Sequence, residues 1–173
     1  MSFLYRPDRA EPAPLRWLGD AIDVAVTLLA ATLLIVMFAN VAARVALNSD
    51  IAWNTEFGEF VLLWATFLGG ASAARRGAHM RITEFVDSFP PAIGHAVELA
   101  TRVGVVGLLL LLIWYGLSIS ESTMGQEMTV LHWPIGVQYL AMPVGSAFAL
   151  VFVIYETVLL AMGRPIPQEA FQD

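Results

Sequence analysis

VAVTLLAATLLIVMFANVAA, residues 24–43, is a run of twenty residues without an ionisable side chain. A helix needs roughly 20 mostly apolar residues to cross the hydrocarbon layer of a membrane, which is roughly 30 Å thick. The run therefore predicts a membrane-spanning helix. Because it is longer than the roughly 7–15 apolar residues of a signal-peptide core, we expect the helix to be retained rather than cleaved.

Three further apolar runs follow, at residues 60–74, 103–120 and 133–155. The run at 60–74 reaches spanning length if residues 53–59 form its first, interfacial turns. Pro143 lies inside the last run, and a proline is tolerated in a membrane helix where neighbouring groups satisfy the freed backbone atoms. The sequence therefore predicts an all-α integral membrane protein with four transmembrane helices.

The remaining segments are short and polar. We expect residues 1–16 to form a cytoplasmic N-terminal segment, 17–163 the four-helix membrane domain and 164–173 a cytoplasmic tail. Between the second and third spans, residues 82–102 combine the pair Pro90-Pro91 with mixed apolar and charged positions. That pattern predicts an amphipathic segment lying along the membrane interface.

The arginines predict the orientation. All nine basic residues are Arg, and with a cytoplasmic N-terminus only Arg44 lies in an outer loop. Cytoplasmic segments carry the excess of Lys and Arg in membrane proteins, so both termini are predicted to face the cytoplasm. An alkaline phosphatase fused after Met128 should then be active and one fused after Arg81 inactive. The opposite activities would reverse the orientation.

The composition excludes several classes of function. A net charge of −6 argues against a nucleic-acid-binding protein, which would show a basic surface. The absence of Cys excludes disulfides and thiolate metal sites. His79, His95 and His132 show no recognisable ligand spacing, so neither a metal nor a haem cofactor is predicted. The apolar runs lack the ionisable residues that mark ion pathways, which disfavours a self-contained pump or channel.

Glu56 and Glu59 lie three residues apart on one helix face, like the paired carboxylates of an acid–base site. They also lie at the outer end of the second span, where a carboxylate favourably meets the helix dipole. About 34 Å of helix separates Glu56 from His79, so these two cannot share an active site. The sequence favours an ion pair between Glu56 and Arg44 that fixes the first helical hairpin, with a docking contact for an outer partner as the alternative.

Small residues on a membrane helix predict close helix packing. Where they recur three or four positions apart on one face, the backbone of a second helix can approach closely. The candidates are Gly69, Gly70, Ala73 and Ala74 on the second span and Gly104 and Gly107 on the third. The neighbouring helix could belong to this chain or to a separate subunit. Arg75, Arg76 and Arg81 follow the second span, where we expect them to contact anionic lipid headgroups.

Residues 44–87, RVALNSDIAWNTEFGEFVLLWATFLGGASAARRGAHMRITEFVD, resemble the signature region of the small membrane (Q) subunit of tripartite ATP-independent periplasmic (TRAP) transporters. The matching residues are Arg44, Asn48, Trp53, Glu56, Phe67, Leu68, Gly69, Arg75, Gly77, His79 and Met80. Residues 130–148, VLHWPIGVQYLAMPVGSAF, resemble the fourth span of that family at Pro134, Tyr139, Pro143 and Gly145. Thr55 departs from the pattern, because many members carry a second Glu there.

The resemblance implies an accessory subunit of the bacterial inner membrane, without a catalytic or substrate-binding site of its own. In such systems a large (M) permease subunit holds the substrate and sodium sites, and a periplasmic solute-binding protein delivers a carboxylate or sulfonate. The acidic residues of the outer segments then form a candidate docking surface for the binding protein: Asp50, Glu56, Glu59, Glu121 and Glu127.

Two other functions stay open on the sequence. One is a membrane anchor subunit of an oxidoreductase complex, which would show a cofactor in its visible absorbance spectrum. The other is a self-contained small exporter, which would work alone in reconstituted vesicles.

Overall fold

The computed structural model describes the backbone of residues 12–76 and 91–161 and the side chains within 12–76 and 100–158. Its helices are α1 (Ala13–Leu47), α2 (Asn54–Arg75), α3 (Pro91–Thr123), α4 (Ile135–Tyr139) and α5 (Ala141–Ala161). Across the described ranges, pairing of extended backbone is limited to one isolated bridge between Glu127 and Pro134. Within the described residues, four stretches are long and apolar enough to cross a membrane: Ala13–Leu47, Asn54–Arg75, Ala100–Thr123 and Ile135–Val158. The prediction of an all-α protein with four spans is confirmed.

The first helix is much longer than the apolar run that predicts it. α1 has 35 residues, about 52 Å of helix, and so continues about three turns beyond the apolar run at its N-terminal end. Pro14 lies in its first turn, where the missing N–H would have no helical partner anyway. Asn48 ends the helix in the left-handed conformation, with φ 47°, which is a common helix stop.

Helices α2 and α5 form the centre of the bundle. The buried share of the spanning stretch is 33% for α2 and 39% for α4 with α5, against 6% for α1 and 11% for α3. α1 packs on α2 and α3 packs on α5, so the outer two helices flank the central pair. The core between them contains Ile22, Leu68, Ala71, Ala74, Ala149, Phe152 and Val153. The wide apolar faces of α1 and α3 are left for lipid or a partner.

The central pair packs backbone against backbone at Gly145. A Cβ atom on Gly145 would lie 2.6 Å from Cβ of Phe67 and 2.7 Å from its carbonyl carbon and oxygen. α3 approaches α5 in a similar way, since a Cβ on Gly116 would lie 2.8 Å from Cδ of Pro143. Neither glycine was among the packing residues expected from the sequence, although Gly145 belongs to the family resemblance.

The expected packing residues divide into two groups. Ala74 is buried in the core, and a Cβ on Gly69 would just reach Val26 of α1, at 4.0 Å. Cβ atoms on Gly70, Gly104 and Gly107 would meet no atom within 4 Å, and Ala73 is exposed. The second group therefore makes no close approach inside the described chain.

The fourth span is divided near Leu140 into α4 and α5, although it was expected to be one helix. Pro143 has no N–H to donate to the carbonyl of Tyr139, so the helical hydrogen-bond ladder is interrupted there. The neighbouring bonds from Leu140 to Gly136 (3.0 Å) and from Val144 to Leu140 (3.1 Å) persist. The chain therefore crosses as one span with a local break.

The connector between the second and third spans is described only from residue 91. Residues 91–102 continue without interruption into α3, so this part of the expected interfacial segment is an extension of that helix. Its position along the membrane surface stays a prediction. Gly77, His79, Met80 and Arg81 lie outside the described residues, as does the side chain of His95.

Candidate functional site: polar contacts at the two ends of the bundle

At one end of the bundle, the side chain of Arg75 is enclosed between α1 and α2. Its exposed fraction is 0%. Nη1 donates to Oδ1 of Asp20 at 3.0 Å and to Oδ2 of Asp23 at 3.4 Å, and Nη2 donates to the carbonyl oxygen of Arg16 at 3.4 Å. Arg75 thus joins the last turn of α2 to three positions on the first turns of α1.

Asp23 receives further partners in the same place. The hydroxyl of Ser72 donates to Oδ1 of Asp23, and Nη2 of Arg76 lies 3.4 Å from the same oxygen. Gly19 leaves the room that the guanidinium fills, since a Cβ there would overlap the Arg75 side chain. We call Gly19, Asp20, Asp23, Ser72, Arg75 and Arg76 the Arg75 cluster.

The Arg75 cluster differs from the sequence-based expectation for these arginines. Arg75 was expected to reach lipid headgroups, but its charge is matched by the carboxylates of α1 and its side chain does not reach the surface. The side chain of Arg76 is 44% exposed and can still reach headgroups. The sequence signal that could have identified the cluster is the pair Asp20 and Asp23, which stand one turn apart next to a glycine.

A second enclosed ion pair joins the other flanking helix to the centre. Nη1 of Arg102 in α3 lies 3.8 Å from Oε2 of Glu156 in α5, with side chains 15% and 14% exposed. The expectation that helix interiors lack charge holds for the apolar runs themselves. It does not hold for the full helices, which extend past those runs and place opposite charges face to face.

At the other end of the bundle, Glu56 binds backbone rather than an arginine. Its Oε1 and Oε2 each accept the N–H of Val130 at 3.0 Å, and Oε2 also accepts the N–H of Leu131 at 2.9 Å. The first turn of α2 is thereby attached to the loop of residues 124–134, which joins α3 to α4. We call this contact the Glu56 clamp.

The predicted ion pair between Arg44 and Glu56 is therefore absent, and Arg44 pairs with Asp50 instead. Nε of Arg44 lies 2.5 Å from Oδ1 of Asp50. The left-handed turn at Asn48 reverses the chain and returns Asp50 toward the last turn of α1. The hairpin is also fixed by Oδ1 of Asn40, which accepts the N–H of Ile51 at 2.9 Å.

The loop of residues 124–134 has internal bonds of its own. The N–H of Met128 donates to the carbonyl of Trp133 at 2.9 Å, and the N–H of Ile135 donates to that of Gln126 at 2.8 Å. The ring of Trp133 lies edge-on to Phe60, with ring centres 5.4 Å apart, and close to Phe57 at 6.4 Å. The loop is thus closed on itself and seated on α2.

The five carboxylates of the candidate docking surface all lie at this end, but in different states. Asp50 is paired with Arg44, and Glu56 is turned into its clamp. Oε2 of Glu127 is 3.9 Å from Nδ1 of His132, and both side chains are mostly exposed. Glu59 and Glu121 are exposed, without an ion pair to any described residue. Within the described ranges, no three His, Asp or Glu side chains group as metal ligands.

Comparison with known proteins agrees with this architecture. Residues 33–163 match the family described as tripartite ATP-independent periplasmic transporters, DctQ component. A putative TRAP transporter small permease protein of Haemophilus influenzae is 28% identical over 81 residues, covering 47% of this chain and 50% of the relative.

Two further relatives carry more specific names. The ectoine TRAP transporter small permease protein TeaB of Halomonas elongata is 29% identical over 111 residues, covering 62% of this chain and 56% of the relative. The sialic acid TRAP transporter small permease protein SiaQ of Vibrio cholerae is 26% identical over 135 residues, covering 78% of each. The chain spans about half the length of the Haemophilus and Halomonas proteins.

These relatives are transporter permease subunits and not enzymes, and together with the four apolar helices they make this a multi-pass protein of the inner membrane. The family model covers well over half of the chain, including the Glu56 clamp and Arg75. The chain belongs to the DctQ component family, the small permease subunits of TRAP transporters.

Proposed function

We propose that this chain is the scaffold subunit of a sodium-coupled, binding-protein-dependent uptake system for small organic acids, carboxylates or sulfonates. The observation that carries the proposal is the placement of charge. In the described helices, the apolar runs contain no ionisable group, and the enclosed charges near their ends are matched by ion pairs. Ion and substrate pathways ordinarily need ionisable groups inside the membrane, so those sites would reside in a large permease subunit.

We place the Arg75 cluster on the cytoplasmic side and the Glu56 clamp on the periplasmic side, following the arginine distribution. Arg76 then lies at the cytoplasmic surface, where its exposed guanidinium would meet anionic headgroups. A soluble solute-binding protein would approach the Glu56 end.

The large subunit would contact the exposed side of α2. Gly70 and Ala73 are exposed there, and the missing side chain of Gly70 serves no contact in the described chain. Small residues at helix interfaces let backbones approach closely in a membrane, where no hydrophobic force distinguishes lipid from protein. The outer faces of α1 and α3 carry bulky side chains instead, including Phe38 and Trp114.

Co-purification tests the scaffold role. The wild-type chain, expressed with a tagged cognate large permease, should be recovered in a stoichiometric complex that supports uptake. Gly70→Leu should lower the recovered complex by about tenfold, because the added side chain separates the two backbones. The matched control is Gly104→Leu, at an equally open glycine on α3. Equal losses for the two variants would remove α2 as the contact, and failure of the wild-type chain to co-purify would end the scaffold proposal.

The acidic surface would attract the solute-binding protein. Since both oxygens of Glu56 accept backbone N–H groups of the loop, the other exposed charges at this end are Asp50, Glu59, Glu121 and Glu127 against Arg44. Rim charges change association rate and salt dependence more than affinity. Reversing Glu121 and Glu127 together to Lys should therefore slow association at low salt and flatten its salt dependence. Unchanged association would show that these charges do not steer the partner.

A further inference from the structure

Besides the contacts of the Trp133 ring with α2 and the burial of Met128, polar contacts hold the loop of residues 124–134 on the bundle at two places. The Glu56 clamp holds its tip, since both carboxylate oxygens accept backbone N–H groups of Val130 and Leu131. Near its ends, the hydroxyl of Ser120 donates to the carbonyl of Gly136 at 2.7 Å, and both residues are buried. A side chain on Gly136 would overlap the Ser120 carbonyl. The ends of the loop are thus fixed by packing, and the backbone N–H groups at its tip are held by one carboxylate.

The surface that the clamp presents combines apolar and charged groups. Met124, Val130 and Trp133 are each 40–42% exposed although they are large and hydrophobic. The side chains of Glu127 and His132 beside them are 66% and 75% exposed. An apolar centre with charged groups around it is the usual anatomy of a protein–protein contact.

The carboxylate of Glu56 is not itself available to a partner. Its two oxygens are occupied by N–H groups of the loop, and Glu59, one turn further along α2, is exposed without an ion pair among the described side chains. The carboxylates of Glu56 and Glu59 therefore differ in their contacts, although they lie one turn apart on α2. Glu56 shapes the loop, whereas Glu59 contributes only charge.

We infer that Glu56 is a positioning residue that presets the loop of residues 124–134 as the contact for the soluble binding protein. The inference rests on the proposed function, since it takes the binding protein to dock at this end. The partner surface would carry an apolar patch bordered by basic groups, because the exposed charge here is predominantly negative. Preorganisation lowers the cost of ordering a loop on binding, so its loss should appear mainly in the dissociation rate.

The test compares Glu56→Gln with the matched control Glu59→Gln in the full complex with the large permease, in lipid nanodiscs. Amide hydrogen exchange of Val130 and Leu131 is measured without partner, and association and dissociation of the cognate solute-binding protein are measured at two salt concentrations. Gln keeps the length of Glu but offers a single, uncharged acceptor oxygen. Glu56→Gln should raise both exchange rates and the dissociation rate about tenfold and leave the salt dependence of association unchanged. Glu59→Gln removes one of the exposed charges at this end, so it should leave both exchange rates at the wild-type value and change the salt dependence of association rather than the dissociation rate.

Each other outcome would contradict one of three claims: the Glu56 clamp, its role in docking, or the docking of the binding protein at this end. Unchanged exchange in Glu56→Gln would overturn the clamp, and faster exchange with unchanged dissociation would overturn its role in docking. Equal dissociation rates in Glu56→Gln and Glu59→Gln would make charge, not position, the cause. If the wild-type complex bound no solute-binding protein, the proposed docking itself would fail, whereas the exchange difference would still establish the clamp.

Discussion

Replacing Arg75 with leucine is expected to destabilise the bundle by about 3 kcal/mol. Removing one partner of a buried ion pair typically costs about 3–5 kcal/mol, because the other charge is left without compensation. The lower value applies here because Asp23 keeps Ser72 and Arg76 and the side chain of Asp20 is 58% exposed. In a thermal melt of the purified chain in detergent, the midpoint should fall on the order of 10 °C.

The control for Arg75 is its neighbour in the sequence. Arg76→Leu removes the same charge from a side chain that is 44% exposed, so we expect a cost below about 1 kcal/mol. Arg75→Lys should lie between the two, since an ammonium group keeps the charge but lacks the planar fork that reaches two aspartates and a carbonyl. Equal melting points for Arg75→Leu and Arg76→Leu would contradict the enclosed network.

Replacing Gly145 with leucine is expected to prevent the close packing of α2 and α5. Even the Cβ atom would lie 2.6–2.7 Å from the backbone and Cβ of Phe67, and a helix backbone cannot move aside as a flexible side chain can. Overpacking by extra methylenes costs about 1–3 kcal/mol, which we expect for Gly145→Ala. The leucine variant should exceed that range and lower the yield of monodisperse protein in size-exclusion chromatography.

Gly104→Ala supplies the matched comparison for Gly145→Ala. A Cβ at Gly104 would meet no atom within 4 Å, so that variant should retain the wild-type melting point or exceed it slightly, because Ala favours helix over Gly. A Gly145→Ala protein as stable as Gly104→Ala would show that the central helices are further apart than described.

The two substitutions probe the same architectural feature. The central helices have neighbours on two sides, whereas each flanking helix has one, so the flanking helices gain less packing. Arg75 ties α1 to α2, and Arg102 with Glu156 ties α3 to α5. These ion pairs set the lengthwise position of helices whose apolar faces alone would allow sliding.

The sequence by itself determined the class of protein, the number of spans and the family. These follow from local quantities, namely the length of apolar runs such as residues 24–43 and the spacing of residues around Trp53, Glu56 and Gly69. The hydrocarbon layer imposes the length on each helix independently, so no knowledge of neighbouring helices was needed.

The tertiary structure alone decided which charges meet. Arg75 was predicted to face lipid and Glu56 to meet Arg44, because sequence places both at helix ends without saying which side chains of other elements lie opposite. Asp20 meets Arg75 only because α1 continues about three turns past its apolar run. Glu56 meets Val130 only because the chain returns from α3, 74 positions away in the sequence. Pairings across such separations depend on helix rotation and register, which are set by packing contacts such as Gly145 on Phe67 and not by any local pattern.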